Sequence, residues 1–170
     1  MRVVVRSGDV LDEAVDVLVC TANTGLRMSG GVNGAILQRG GEDVQRELDR
    51  FLRESGRKAV EAGTVVRTGP GPLRVKHILH AVGVTPFYES SVGLVRDLLR
   101  RALGEAAALS ARTAAVPAVA TGYGPLSVGE FAAALGGALD REYPPLEELR
   151  VVLRREEEAE EVRRVLAARG

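Results

Sequence analysis

Hydrophobic positions along the chain switch repeatedly between two periods. Short apolar runs of strand length are each followed by a longer segment whose apolar residues recur at helical spacing. The strand patterns are Arg2–Arg6 (Arg-Val-Val-Val-Arg), Asp16–Cys20, Gly63–Thr68, His77–Val82, Thr113–Val119 and Leu149–Leu153. The helical patterns are Val32–Arg39, Glu42–Leu52 after a Gly40-Gly41 break, Ser91–Ser110, Val128–Leu139 and Glu156–Ala168. In the longest, Val95, Leu98, Leu99, Ala102, Leu103 and Ala106 fall on one stripe. Gly69-Pro70-Gly71-Pro72 is a turn that neither a helix nor a central strand can cross. The charged run Arg154-Arg155-Glu156-Glu157-Glu158 reads as the solvated start of the last helix, with acids in its first turn. Apolar strands alternating with amphipathic helices predict an α/β fold: a three-layer α/β/α sandwich with a mixed, mostly parallel central sheet.

Two of the strands run into glycine-rich turns. Val17–Cys20 leads through Thr21-Ala22-Asn23 to Ser29-Gly30-Gly31-Val32-Asn33-Gly34, and Ala114–Val119 leads to Ala120-Thr121-Gly122-Tyr123-Gly124. A helical pattern follows each turn. Glycine lets the backbone approach a ligand closely, and a helix that starts there offers free N–H groups and a positive dipole end. A protein can hold phosphate in this way without a basic patch. In open parallel sheets ligands sit beyond the carboxyl ends of the strands, where both turns fall. Two such turns on one sheet point to a ligand with two linked phosphates.

Composition narrows the partners. A length of 170 residues predicts one domain over residues 1–170, long enough to bury a core. Lys plus Arg and Asp plus Glu are equal at 23 each, so no polyanion-coating surface and no duplex nucleic acid partner are expected. Cys20 is the one cysteine, which excludes an intramolecular disulfide framework. No apolar run approaches transmembrane length and no leader pattern opens the chain, so a cytoplasmic protein without membrane association is expected. No cofactor or metal is expected either. His77 and His80 lack partners at metal-ligand spacing, and three residues apart in a strand they face opposite sides of the sheet. The Gly-x-x-x-x-Gly-Lys-Ser/Thr phosphate loop, the Gly-x-Gly-x-x-Gly dinucleotide turn and the Gly-x-Ser-x-Gly hydrolase elbow are missing from the sequence.

Read in order, the motifs resemble those of the macro domain family, the ADP-ribose-binding α/β/α module. Gly8-Asp9-Val10 resembles its Gly-Asp-Ile turn. Cys20-Thr21-Ala22-Asn23 resembles Asn-Ala-Ala-Asn, and Ser29-Gly30-Gly31-Val32 resembles Gly-Gly-Gly-Val. Gly63–Thr68, Lys76–Val82 and Val116–Gly122 are similar to its Gly-x-x-x-x-Thr, Lys-Tyr-Val-Ile-His-Ala-Val and Phe-Pro-Ala segments. The resemblance covers residues 8 to about 130 and rests on the joint order of motifs that are individually weak.

The resemblance implies a set of site residues. Asp9, with Val10, matches the aspartate that accepts from the adenine amino group; without the resemblance it reads as a turn or helix-cap aspartate. Asn23 matches the asparagine on the distal ribose, and otherwise reads as a turn asparagine. Gly30, Gly31 and Val32 match the loop against the distal ribose and diphosphate. Ala120, Thr121, Gly122, Tyr123 and Gly124 match the loop that wraps the diphosphate, with Tyr123 either covering the distal ribose or serving as a loop aromatic. The chain also departs from the pattern. Cys20 replaces the first asparagine and reads as a small core residue. Ser29 replaces a glycine. Gly31-Val32-Asn33-Gly34 stands where active mono-ADP-ribosyl hydrolases commonly have Gly-Val-Asp-Gly. Asn33 can orient a water but cannot take its proton. The aromatic that often stacks on adenine is missing from the sequence, and Arg154 or Arg155 falls near that position.

The implied function is a module that binds ADP-ribose, free or protein-linked, or a related derivative, with ADP-ribose or an ADP-ribosylated protein as partner. The alternative is a hydrolase that removes ADP-ribose from a side chain or cleaves a related ester or phosphate, with Asn23 and Asn33 at the reacting centre. A third reading is a family member that has lost the ligand and serves as a scaffold. Asn33 discriminates the first two, favouring binding or slow catalysis.

Overall fold

The computed structural model describes residues 1–39 and 41–169. The elements follow in the order β1 (Arg2–Ser7), a short 3-10 helix (Val10–Asp12), β2 (Val17–Ala22), α1 (Gly31–Gln38), α2 (Glu42–Glu54), β3 (Val65–Thr68), β4 (His77–Val82), α3 (Val92–Ala108), β5 (Thr113–Val116), α4 (Val128–Ala138), β6 (Glu148–Leu153) and α5 (Glu156–Ala167). The strand order is β1-β6-β5-β2-β4-β3, parallel throughout except for the antiparallel pair β3 and β4. The expected mixed, mostly parallel sheet is therefore present.

Its two faces carry separate cores. Val17, Val19, Leu79, Ala81, Ala114, Val116, Leu149 and Val151 project onto α3, α4 and α5. Leu18, Cys20, Ile78, Val82, Ala115 and Val152 project onto α1 and α2. Alternation along each strand separates the two sets, and burial on both faces is why the strands read as nearly continuous apolar runs. His77 and His80 accordingly fall on opposite faces. No helix among the described residues is long and apolar enough to cross a membrane.

All the sequence-predicted strands and helices are present, with shifted ends. β5 stops at Val116 rather than Val119, because Pro117 has no N–H for the ladder. β3 begins at Val65 rather than Gly63, whose φ of +91° takes it out of the strand. β2 runs on to Ala22, two residues past the expected end, because Thr21 and Ala22 still pair with Ala81 and Val82 of β4. Of the Gly40-Gly41 break, Gly40 lies outside the described residues and Gly41 caps α2. The 3-10 turn after Asp9 is too short to carry a periodic pattern.

The topology places the site. β2 and β5 are parallel neighbours, with Val17 opposite Ala114 and Leu18 opposite Ala115. From β2 the chain leaves toward α1 and α2, and from β5 toward α4 and β6 on the other side. Their two glycine turns thus emerge side by side where the strand order diverges, the position at which open α/β sheets form a crevice.

Candidate functional site

A cleft of about 1520 Å³ opens at that end of the sheet. Its walls include Asp9, Val10, Asn23, Gly30, Gly31, Val32, Asn33, Ala120, Thr121, Gly122, Tyr123, Gly124 and Arg154, so the sequence-predicted site residues are gathered around one space.

At one end lies the 3-10 turn. Asp9 caps it, with Oδ1 accepting from the Leu11 N–H at 2.9 Å. The other oxygen, Oδ2, accepts from Arg39 Nη2 at 2.9 Å. Val10 is buried beneath and contributes an apolar surface. Arg155 is engaged by Glu158 at 3.0 Å, which closes the first turn of α5. Arg154, by contrast, is exposed on the cleft wall and makes no ion pair among the described residues.

The first glycine turn is held from below. The Asn23 amide closes its own loop, donating to Arg27 O at 2.9 Å and accepting from Arg27 N at 3.1 Å. Gln45 of α2 accepts from Met28 N–H at 2.8 Å and donates to Leu26 O at 3.0 Å, clamping the segment that leads to Gly30. Gly30 adopts a φ of +70°, which L side chains rarely adopt, and the Tyr123 hydroxyl lies 2.6 Å from where a Cβ would stand. α1 then starts without a side-chain cap, so its first N–H groups are left for the cleft. Asn33, in the first turn, points inward: its Nδ2 donates to Thr21 O of β2, and its Oδ1 is buried with no partner among the described residues.

The second turn is shaped by its backbone. Ala120 has a φ of +62° and its carbonyl accepts from Leu126 N–H at 3.1 Å. A Cβ on Gly124 would lie 2.3 Å from that carbonyl oxygen, so only glycine allows the loop to fold so tightly. The Thr121 hydroxyl donates to Ala118 O at 3.0 Å. Ser127 and Glu130 form a reciprocal cap on α4, so this helix, unlike α1, is closed by its own side chains. Tyr123 is 73% exposed and its ring spans from the second turn to Gly30 of the first.

Two titratable groups buried in the sheet, Cys20 and His80, are biased toward their uncharged forms. Burial pushes the Cys20 thiol well above its ordinary range, consistent with a core residue rather than a nucleophile. Burial also pushes His80 down to about 4. Four contributors had no usable signal in the sequence: Arg39, Gln45, Thr21 and Tyr88. The first three act through partners distant along the chain. Tyr88 reaches the cleft from the β4–α3 connection with a φ of +59°.

Comparisons with known proteins agree with this architecture. The family model described as "Macro domain" matches residues 19–135. A macro domain-containing protein of Streptomyces griseus is 38% identical over 149 residues, covering 86% of this chain and 84% of the relative. Among solved structures, a glycine-to-valine mutant of the Oceanobacillus iheyensis macrodomain with ADP-ribose superposes with a TM-score of 0.86 at 24% identity, covering 98% of this chain and 91% of that one. The Trypanosoma brucei macrodomain in complex with ADP-ribose gives a TM-score of 0.81 at 24% identity, covering 95% and 68%. The motif order, the sheet topology and the match over more than half the residues converge: the chain belongs to the macro domain family.

Proposed function

We propose that this protein binds ADP-ribose, free or carried on a modified protein, and that residues 1–170 form one domain built around that site. The observation that carries the reading is the pair of glycine turns on adjacent strands, walling one cleft beside an uncapped helix start. Backbone N–H groups and a helix dipole there suit a diphosphate in a chain with no net charge. Asp9, Val10 and Arg154 at one end fit an adenine: an acceptor for its amino group, an apolar floor and a planar cation able to stack. Asn23, Gly30 and Tyr123 sit around the other end, where the distal ribose would lie. Structures of the Oceanobacillus protein include variants of an asparagine, a glycine and an aspartate at intervals of seven and three residues. Asn23, Gly30 and Asn33 stand at the same intervals.

Binding is favoured over hydrolysis by the state of Asn33. An amide cannot act as general base, assistance worth ~10²–10⁴-fold, and this one is committed to Thr21 O beneath the loop. The test is calorimetric titration with ADP-ribose, followed by incubation of wild type and Asn33→Asp with a mono-ADP-ribosylated protein at matched saturation. Wild type should bind yet release ADP-ribose slowly or not at all. A carboxylate cannot donate to Thr21 O, so in Asn33→Asp it is freed toward the cleft, and turnover should rise. Robust release by wild type with no gain from Asn33→Asp would replace the binding reading with the hydrolase one.

A further inference from the structure

Arg39 ends α1 and reaches across to the 3-10 turn. Its Nη2 donates to Asp9 Oδ2 at 2.9 Å and its Nη1 to Asp12 Oδ1 at 3.1 Å. The planar guanidinium therefore spans two aspartates with two separate nitrogens, a geometry that a lysine ammonium cannot reproduce. With Oδ1 of Asp9 already accepting from Leu11 N–H, both carboxylate oxygens are anchored and the plane of the group is fixed. The remaining lone pairs are the ones available to the cleft.

The same helix links the two ends of the site. Its first turn opens, uncapped, at the glycine loop, while its last residues carry Arg39 to Asp9. Eight residues at 1.5 Å each make a strut of about 12 Å between them. We infer that Arg39 is a positioning residue for base recognition: through its fork to Asp9 and Asp12 it aims the Asp9 carboxylate at the exocyclic amino group of adenine. It touches no ligand itself. The inference rests on the proposed binding of ADP-ribose, and it makes the base preference of the site depend on a residue outside the base pocket.

The side chains involved are between 40% and 67% exposed, so the pair contributes little to stability, and its removal should act on recognition rather than on folding. The probes are ADP-ribose and its hypoxanthine counterpart, which presents a carbonyl oxygen where adenine has its amino group. Wild type, Arg39→Ala and Arg39→Lys would be titrated with both. Wild type should prefer ADP-ribose. Arg39→Ala should weaken ADP-ribose about 3- to 10-fold and leave the hypoxanthine ligand nearly unchanged, so that the preference shrinks. Arg39→Lys should fall between the two, retaining charge but only one arm of the fork. Equal losses on both ligands would show a general structural role and overturn the inference, as would an unchanged or enlarged preference. Wild type that binds neither ligand would instead overturn the proposed function on which the inference stands.

Discussion

The Asp9 carboxylate carries two structural duties, capping the turn at Val10–Asp12 and receiving Arg39, on the wall of a cleft where it would also accept from adenine. The cap reading and the recognition reading of this residue are therefore compatible, because a carboxylate has about four lone-pair sites. Asp9→Ala removes all the contacts together. It should weaken ADP-ribose by about 1–3 kcal/mol through the lost acceptor. It should also lower the melting temperature, since a missing N-cap costs about 0.5–2 kcal/mol. Asp9→Ser separates the effects: serine still caps, but its side chain is too short to reach the base. Its melting temperature should stay close to that of wild type while ADP-ribose binding falls as in Asp9→Ala, with calorimetry and thermal unfolding as the paired measurements. Wild-type affinity in Asp9→Ser would remove Asp9 from the site. Asn23 and Asn33 were legible as polar residues at a strand end and a helix start. Their partners, Arg27 backbone and Thr21 O, were not, because rotamers and neighbours are chosen only once the loop has closed.

Strands and helices were the most legible level, since each is written in a local period. Their ends depended on single residues: Pro117 shortened β5, and Gly63 delayed β3. Among the loops, Gly122 and Gly124 look alike in the sequence but differ in the fold. A Cβ at Gly122 meets nothing within 4 Å, whereas at Gly124 it collides with the Ala120 carbonyl. Gly124→Ala should thus push Ala120 and Leu126 apart, breaking their hydrogen bond, and destabilise the free protein by roughly 1–3 kcal/mol as an overpacking change does. Gly122→Ala should leave thermal stability within about 0.5 kcal/mol. Equal melting temperatures for the two variants would show that the close approach at Gly124 does not constrain the loop.

For the whole molecule, the buried His80 between β3 and β4 contributes to the response to acid. The Thr68 hydroxyl lies 3.1 Å from Gly69 O and 2.9 Å from His80 Nε2, so that ring nitrogen has a hydrogen-bond partner. Nδ1 is left buried without a partner among the described residues, in the apolar core shared with α1 and α2. Protonation would bury an uncompensated charge there, and His80 is held down at about 4 against an ordinary 6.5. A lowered histidine means the unfolded chain binds the proton first. Stability is full above pH 6.5 and is lost as pH falls through the interval down to about 4, by roughly 3 kcal/mol at 1.36 per pKa unit. Asp16 then takes over. Its bond from Lys76, at 2.7 Å, and those from the Arg112 and Thr113 N–H groups hold its carboxyl at about 2, so its contribution is lost below about pH 4. His80→Gln should flatten the slope of melting temperature between pH 6.5 and 4 and leave the lower limb in place. An unchanged upper slope would take His80 out of the account.

The sequence by itself determined the layered α/β class, the succession of elements and the two glycine turns, because hydrophobic period and glycine placement act over a few residues at a time. It also carried enough ordered motif to mark the macro domain family and the wall of the cleft from Asp9 to Arg154. Only the tertiary structure decided which groups those residues meet. Thr21 lies 12 positions from Asn33, Asp9 lies 30 from Arg39, and Thr68 lies 12 from His80. No local period specifies such pairs: they exist because the folded sheet and its helices bring residues that are distant along the chain side by side, the antiparallel β3 and β4 in the case of Thr68 and His80. There a hydrogen-bond partner is set by the path of the backbone rather than by the side chain that needs it.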